Sequence, residues 1–213
     1  MKVSVAPPKG KLEKVQYEAW LITNGLEPVW LTARHKKIDK PLILCGGADI
    51  GKDVKRDKLE YQWIEWALEA NQPIIGVCRG MQILNKYFGG DVLNLETPIV
   101  ESHAAGDFSE AVSHAEKPSQ YHFVFDDAGN RMWVNSRHHQ YCIPIASNFE
   151  VTHWTENKYV VEGIADESRK IWAVQWHPEW QASRDTNSVK LFSAFRDALN
   201  NKNIVINEEK MVG

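Results

Sequence analysis

Gly76-Val77-Cys78-Arg79-Gly80 sets a thiol between two glycines. It follows the apolar run Ile74-Ile75-Gly76-Val77 and precedes Met81, Leu84 and Phe88, which fall at helical spacing. A nucleophile on a tight strand-to-helix turn is the thiol counterpart of the strained G-x-S-x-G elbow. Such a turn exposes the side chain at the end of a sheet. The following helix aims its unpaired N–H groups and its positive dipole end at the sulfur. Both favour the reactive thiolate, and the glycines permit close backbone approach. A thiolate that attacks an acyl carbon needs a base, a group that orients the base, and donors for the oxyanion. Val174-Gln175-Trp176-His177-Pro178-Glu179 supplies the first two. His177 and Glu179, two apart on an extended segment, lie on one side, and Pro178 fixes the backbone between them. A carboxylate there holds the imidazole tautomer and stabilises the imidazolium. Gly46-Gly47, after an apolar run, can present backbone N–H groups to a developing oxyanion, and the Arg79 N–H is the second expected donor.

Blander readings compete with these. Free cysteine is among the most buried residue types, and Cys78 alone would read as an inert core thiol. Its flanking glycines and the distant His-Pro-Glu favour catalysis instead. Cys45 and Cys142 have no such setting and are expected in the core. The pair His138-His139 suggests a metal, but neighbours on a strand point to opposite faces, and no C-x-x-C or H-E-x-x-H accompanies them. No metal site is expected. Gly46-Gly47-Ala48-Asp49-Ile50-Gly51 fits neither the dinucleotide fingerprint nor the P-loop, so no nucleotide cofactor is expected. His103, His114, His122 and His153 read as solvated or locally bonded, and Trp63 and Trp66 as packing.

The elements that must carry these groups alternate. Residues 1–5 read as a first strand, and Leu12, Val15, Ala19, Trp20 and Ile22 as the apolar side of a helix that stops at Asn24-Gly25. Residues 28–32 and 41–45 read as further strands. Residues 56–71 read as a helix with Leu59, Trp63, Trp66 and Ala67 on one side. Strands alternating with helices at this spacing predict a parallel sheet covered on both faces. Beyond Gly89-Gly90 the pattern changes. Residues 94–120 are polar and aperiodic, as expected of a loop or a lid over the site. Short strands are expected over 121–125, 131–134, 149–154, 159–165 and 170–175, with Asp127-Ala128-Gly129-Asn130 turning the first pair. They form an antiparallel extension whose last strand returns His177 to the elbow. Val189, Phe192, Phe195 and Leu199 mark a closing amphipathic helix over 187–199. The reading is one α/β domain over residues 1–200 and a polar tail over 201–213.

Composition narrows the classes. The chain has 213 residues, 43% of them hydrophobic, enough for a globular core. A formal net charge of -3 gives no electrostatic footprint for nucleic acid or an anionic membrane. No apolar run approaches the ~18 residues needed to span a bilayer. The first residues do not form a signal peptide. Three sparse cysteines make no disulfide framework and point to a reducing cytosol.

G-V-C-R-G-M-Q followed much later by Q-W-H-P-E resembles the class I glutamine amidotransferase superfamily, over most of the chain. Arg79 directly after the cysteine, Asn135-Ser136-Arg137-His138-His139-Gln140, and Leu44-Cys45-Gly46-Gly47-Ala48-Asp49 resemble its γ-glutamyl-γ-aminobutyrate hydrolase branch, peptidase family C26. The resemblance implies a flavodoxin-like open, mostly parallel sheet with helices on both faces and a small antiparallel extension in the C-terminal half. It implies Cys78 as nucleophile, His177 as base, Glu179 as its orienter, and Gly47 and Arg79 as oxyanion donors through their backbones. Gly46, Gln82, Asn135, Ser136, His138 and His139 would lie at a γ-glutamyl pocket. No metal or organic cofactor is implied. Three functions follow as alternatives. The first is a free-standing hydrolase of γ-glutamyl amides. The second is a glutaminase subunit that hands ammonia to a synthetase partner. The third is a catalytically silent binding protein of the same fold.

Overall fold

Residues 1–95 and 121–180 of the computed structural model are described here. The elements are β1 (Lys2–Ala6), α1 (Lys11–Thr23), β2 (Glu27–Trp30), β3 (Leu42–Leu44), α2 (Val54–Glu69), β4 (Ile74–Val77) and α3 (Arg79–Tyr87). There follow β5 (Val92–Asn94), β6 (Tyr121–Phe125), β7 (Arg131–Asn135), β8 (Gln140–Cys142), β9 (Glu150–Thr155), β10 (Val161–Asp166) and β11 (Ile171–Val174). The expected closing helix, the tail and nearly all of the expected lid lie outside the described residues.

The main sheet has nine strands in the order β2-β1-β3-β4-β11-β10-β9-β6-β7. Every neighbouring pair from β2 to β11 is parallel. The pairs from β11 outward to β7 are antiparallel. The order 2-1-3-4 with a switch of direction beyond it is the flavodoxin-like, doubly wound arrangement. The antiparallel part is continuous with the parallel sheet and supplies β10, β9, β6 and β7. The last of the five strands expected there, β11, instead pairs parallel with β4.

The central strands are apolar throughout because both faces are covered. Along β3, Leu42 and Leu44 pack with Trp63, Ile64 and Met81 from α2 and α3, whereas Ile43 packs with Tyr17, Trp20 and Leu21 from α1. In β4, Ile74 joins the first cluster, and Ile75 and Val77 the second. Alternation of side chains thus divides the core into two layers, with α1 on one face and α2 and α3 on the other.

The face of α1 differs from the expected one. Leu12, Val15, Ala19 and Ile22 are exposed, and the buried side chains are Tyr17, Trp20 and Leu21. On α2 the buried set is Asp57, Glu60, Trp63, Ile64 and Ala67, so two carboxylates share the inward face with the apolar residues. Asp53 starts this helix by accepting from the Arg56 N–H at 3.1 Å, two residues earlier than the periodicity indicated. A small second sheet, β5 with β8, was not anticipated. It pairs Val92 with Cys142 and Asn94 with Gln140.

Candidate active site

Cys78 sits at the turn between β4 and α3 with φ 52° and ψ -107°. A non-glycine residue at positive φ stores strain that the surrounding structure must hold. Its own N–H donates to the Val174 carbonyl at 2.7 Å, which ties the turn to the end of β11. The Met81 and Gln82 N–H groups donate to the Cys78 carbonyl, at 3.0 and 3.2 Å. Arg79, first in the helix, has no intrahelical acceptor for its N–H. The flanking glycines are set by packing. A Cβ on Gly80 would lie 2.2 Å from the Leu44 carbonyl oxygen, and one on Gly76 would lie 2.7 Å from the Gly80 backbone. Only glycine lets α3 descend this close to β3 and β4.

The parallel register of β11 with β4, Val174 opposite Val77, carries the next residues past the elbow. His177 Nδ1 is 2.6 Å from Glu179 Oε1. Asn135 clamps the base from the end of β7. Its Nδ2 donates to the His177 carbonyl at 2.7 Å, and its Oδ1 accepts from the His177 N–H at 2.8 Å. Burial pushes the His177 imidazole down. The Glu179 carboxylate and the Cys78 sulfur outweigh it and push the imidazole up to about 10. The ring packs over Gly46: a Cβ there would be 2.9 Å from His177 Cε1 and 3.7 Å from Cys78 Cβ. The thiol, the imidazole and the glycine loop therefore meet at one point, at the carboxyl ends of β3, β4 and β11. A nucleophile, an imidazolium and backbone N–H groups in this arrangement can perform acyl transfer through a thioester.

The other residues expected at the site are placed as follows. The Gly46 N–H is committed to the buried Tyr17 hydroxyl at 2.9 Å. Gln82 is buried and donates to the Gln175 side chain at 3.3 Å and the Gln140 carbonyl at 3.4 Å. Gln175 in turn donates to Cys78 Sγ at 3.5 Å, so Gln82 reaches the thiol through a second amide. Asn135 has both ends of its amide on His177. Ser136 is fully buried. His138 faces inward, with Nδ1 3.0 Å from the Gln140 carbonyl and Nε2 3.4 Å from Glu162 Oε1. His139 is more open, and its Nε2 lies 3.1 Å from Asp49 Oδ1 in the glycine loop. Burial raises the Asp49 carboxyl, but Lys52 and His139 outweigh it and hold the group below its ordinary range.

The Arg79 side chain takes no part in this cluster. It is buried against Asp57 and Glu60 of α2, and Glu60 also accepts from Arg56 Nε at 2.8 Å. The sequence reading passed over Tyr17, Arg56, Asp57, Glu60 and Gln175. Gln175 carried a usable signal, as a polar residue directly after the apolar strand β11 and two before His177. Cys45 and Cys142 are buried, as expected of core thiols. Among the described residues no group of three or more His, Cys, Asp or Glu side chains is arranged to hold a metal ion. None of the described helices is long and apolar enough to cross a membrane.

An open sheet of this order, with a cysteine elbow at its carboxyl edge, is the architecture of the class I glutamine amidotransferase superfamily. A sequence model of the family described as peptidase C26 matches residues 34–179, and the chain belongs to that family. Among its relatives is the glutamine amidotransferase-like protein YvdE of Lactococcus lactis, 31% identical over 178 residues, covering 74% of this chain and 73% of that one. A glutamine-hydrolysing GMP synthase of Ehrlichia canis is 28% identical over 160 residues, which cover 75% of this chain but 28% of the synthase. Among solved structures, a GMP synthase subunit from Thermoplasma acidophilum superposes with a TM-score of 0.71 at 18% identity, covering 97% of this chain and 98% of that one. Family and relatives together mark a hydrolase-type enzyme of the glutamine amidotransferase kind.

Proposed function

We propose that this protein hydrolyses γ-glutamyl amides through a γ-glutamyl thioester on Cys78. The observation that carries the reading is the Cys78 elbow beside His177, with His177 Nδ1 2.6 Å from Glu179. The thiolate attacks the γ-carbonyl carbon, and the carbonyl oxygen takes the negative charge against the N–H groups of Gly47 and Arg79. Each such donor is worth about 2.7–4 kcal/mol of barrier. The His177 imidazolium gives its proton to the amide nitrogen, the C–N bond breaks, and the amine leaves. Neutral His177 then takes a proton from water, the hydroxide attacks the thioester carbon, and the thiolate departs as glutamate is released. Glu179 keeps the imidazole in the tautomer that serves both proton transfers. The sequence of steps balances with the thiol, the imidazole and water. The test is incubation of the purified protein with a panel of γ-glutamyl amines and glutamine, with glutamate followed by mass spectrometry. The wild type releases glutamate, and folded Cys78→Ala releases none. Wild-type turnover by Cys78→Ala would remove the nucleophile from this role.

Similarity to a glutamine-hydrolysing GMP synthase supports a second reading, in which the same chemistry delivers ammonia to a separate synthetase. Arg79 and the Asn135-Ser136-Arg137-His138-His139-Gln140 stretch favour the first. A preference for free glutamine, with a large gain in turnover on adding a synthetase, would favour the second.

A further inference from the structure

The most heavily charged interior cluster among the described residues lies beside the site rather than in it. Asp57 and Glu60 sit three apart on the inward face of α2 and both receive the Arg79 guanidinium. Glu60, with no exposed surface, also accepts from Arg56 Nε at 2.8 Å. The remaining arm of Arg56 donates through Nη2 to the carbonyls of Cys45, at 3.2 Å, and Gly46, at 3.0 Å. Asp57 closes the other side by accepting from the Gly51 N–H at 2.7 Å. Two guanidinium groups and two carboxylates balance in charge, which removes the cost of an unpaired buried ion. Neutrality alone does not require that Arg56 also grip two loop carbonyls.

The grip has a directional consequence. In a trans peptide the carbonyl of one residue and the N–H of the next point in opposite directions. Holding the Gly46 carbonyl on Arg56 therefore turns the Gly47 N–H away from α2. The side of Gly46 on which a Cβ would stand is the one that faces His177 and Cys78. The Gly46 N–H is already committed to Tyr17, so the loop is fixed at both of its polar ends. A Cβ on Gly47 would lie 2.0 Å from Arg56 Nη1, so a larger residue there would displace the guanidinium. At the other end of the network, Arg79 is the residue whose own backbone N–H opens α3 next to the thiol.

We infer that Arg56, Glu60 and the Arg79 side chain are positioning residues that hold the two halves of the oxyanion hole in register. One half belongs to the loop after β3, the other to the elbow after β4, and among the described residues no backbone hydrogen bond joins these loops to each other. The ionic relay does so through Glu60, which takes both Arg56 and Arg79, with Asp57 tying Arg79 to the Gly51 N–H further along the first loop. The inference rests on the proposed function in taking Cys78 as an acyl-accepting nucleophile and the Gly47 and Arg79 N–H groups as its oxyanion donors.

Two reagents separate positioning from a general effect on the thiol. Acylation of Cys78 by p-nitrophenyl acetate passes through a tetrahedral oxyanion. Alkylation by iodoacetamide is a direct displacement at carbon and forms none. In Arg56→Gln the burst of p-nitrophenolate is expected to slow by about 10²-fold or more, the effect of losing one oxyanion donor, while alkylation of Cys78 keeps its wild-type rate. Arg56→Lys keeps a cation beside Glu60 but cannot serve the carboxylate and both carbonyls at once, and it is expected to show the same split. It is the second variant should Arg56→Gln not fold. Acylation that stays at the wild-type rate in a folded variant would overturn the inference. So would acylation and alkylation slowing together. Neither reagent carries a glutamyl group, so failure of the wild type on γ-glutamyl compounds would count against the substrate reading and not against this one.

Discussion

In the proposed mechanism the chemistry turns on His177, and its surroundings make a testable statement about pH. Burial disfavours its charged form, and the adjacent Glu179 and Cys78 more than compensate, so the imidazolium persists to about pH 10. The step that releases the amine uses that proton, so activity is expected to decline only as pH rises through this range. Glu179→Gln removes the carboxylate that raises the imidazole. The sign follows directly: the folded pKa falls, and the alkaline limb of kcat/KM moves to lower pH, by about 1–3 units for a contact this close. A pH–rate profile that keeps its alkaline limb in place would mean that Glu179 does not set the imidazolium. The meeting of Cys78, His177 and Glu179 was legible in the sequence because His177 and Glu179 are close in the chain and Cys78 is marked by glycines. Tyr17, Arg56 and Glu60 were not. Each acts through a partner 10 to 29 residues away, and nothing local distinguishes them from other side chains of a solvated helix.

At the level of elements, the elbow depends on how closely α3 approaches the sheet. A methyl group on Gly80 would stand 2.2 Å from a backbone oxygen of β3, an atom that cannot swing aside. Gly80→Ala is therefore expected to destabilise the fold by about 1–3 kcal/mol or more, read as a lower urea midpoint, and to lower kcat. Unchanged stability and activity would show that α3 can retreat freely. The parallel strands could be read from sequence because burial on both faces leaves them uniformly apolar. β5 and β8 could not be read. Each is three residues long and of mixed polarity, and each is stabilised by the other across almost fifty residues. The inward face of α1 was mistaken because apolar spacing selected Leu12, Val15 and Ile22, whereas Tyr17 is drawn inside by its hydrogen bond to Gly46. The inward face of α2 carries Asp57 and Glu60 because their partners arrive from α3 and from α2 itself, which a count of apolar residues does not register.

Over the whole molecule, the parallel strands end at the site and the antiparallel strands buttress it from one side. This half contributes buried carboxylates that matter for stability. Asp166, at the end of β10, is raised by burial, but Ser168, Arg169 and Asn148 outweigh this and hold it down at about 2. A carboxyl whose folded pKa is depressed contributes stability above its unfolded value of about 3.9, and loses that contribution as pH falls toward the folded value. Asp166→Asn is thus expected to lower the thermal midpoint at neutral pH, with the difference from wild type shrinking as pH falls from about 4 toward 2. A difference independent of pH would assign the effect to packing instead. In the proposed function the sheet, the ionic relay beneath the two loops and the clamp on His177 serve one centre, the Cys78 sulfur as an acyl acceptor. The most direct measurement of that claim is rapid acid quenching during turnover of a γ-glutamyl amide, followed by peptide mass mapping. The account predicts a glutamyl group on the peptide that contains Cys78, absent in Cys78→Ala and longer-lived in His177→Ala if any forms. Glutamate released in full turnover with no glutamyl adduct on Cys78, or with the adduct on another residue, would contradict it.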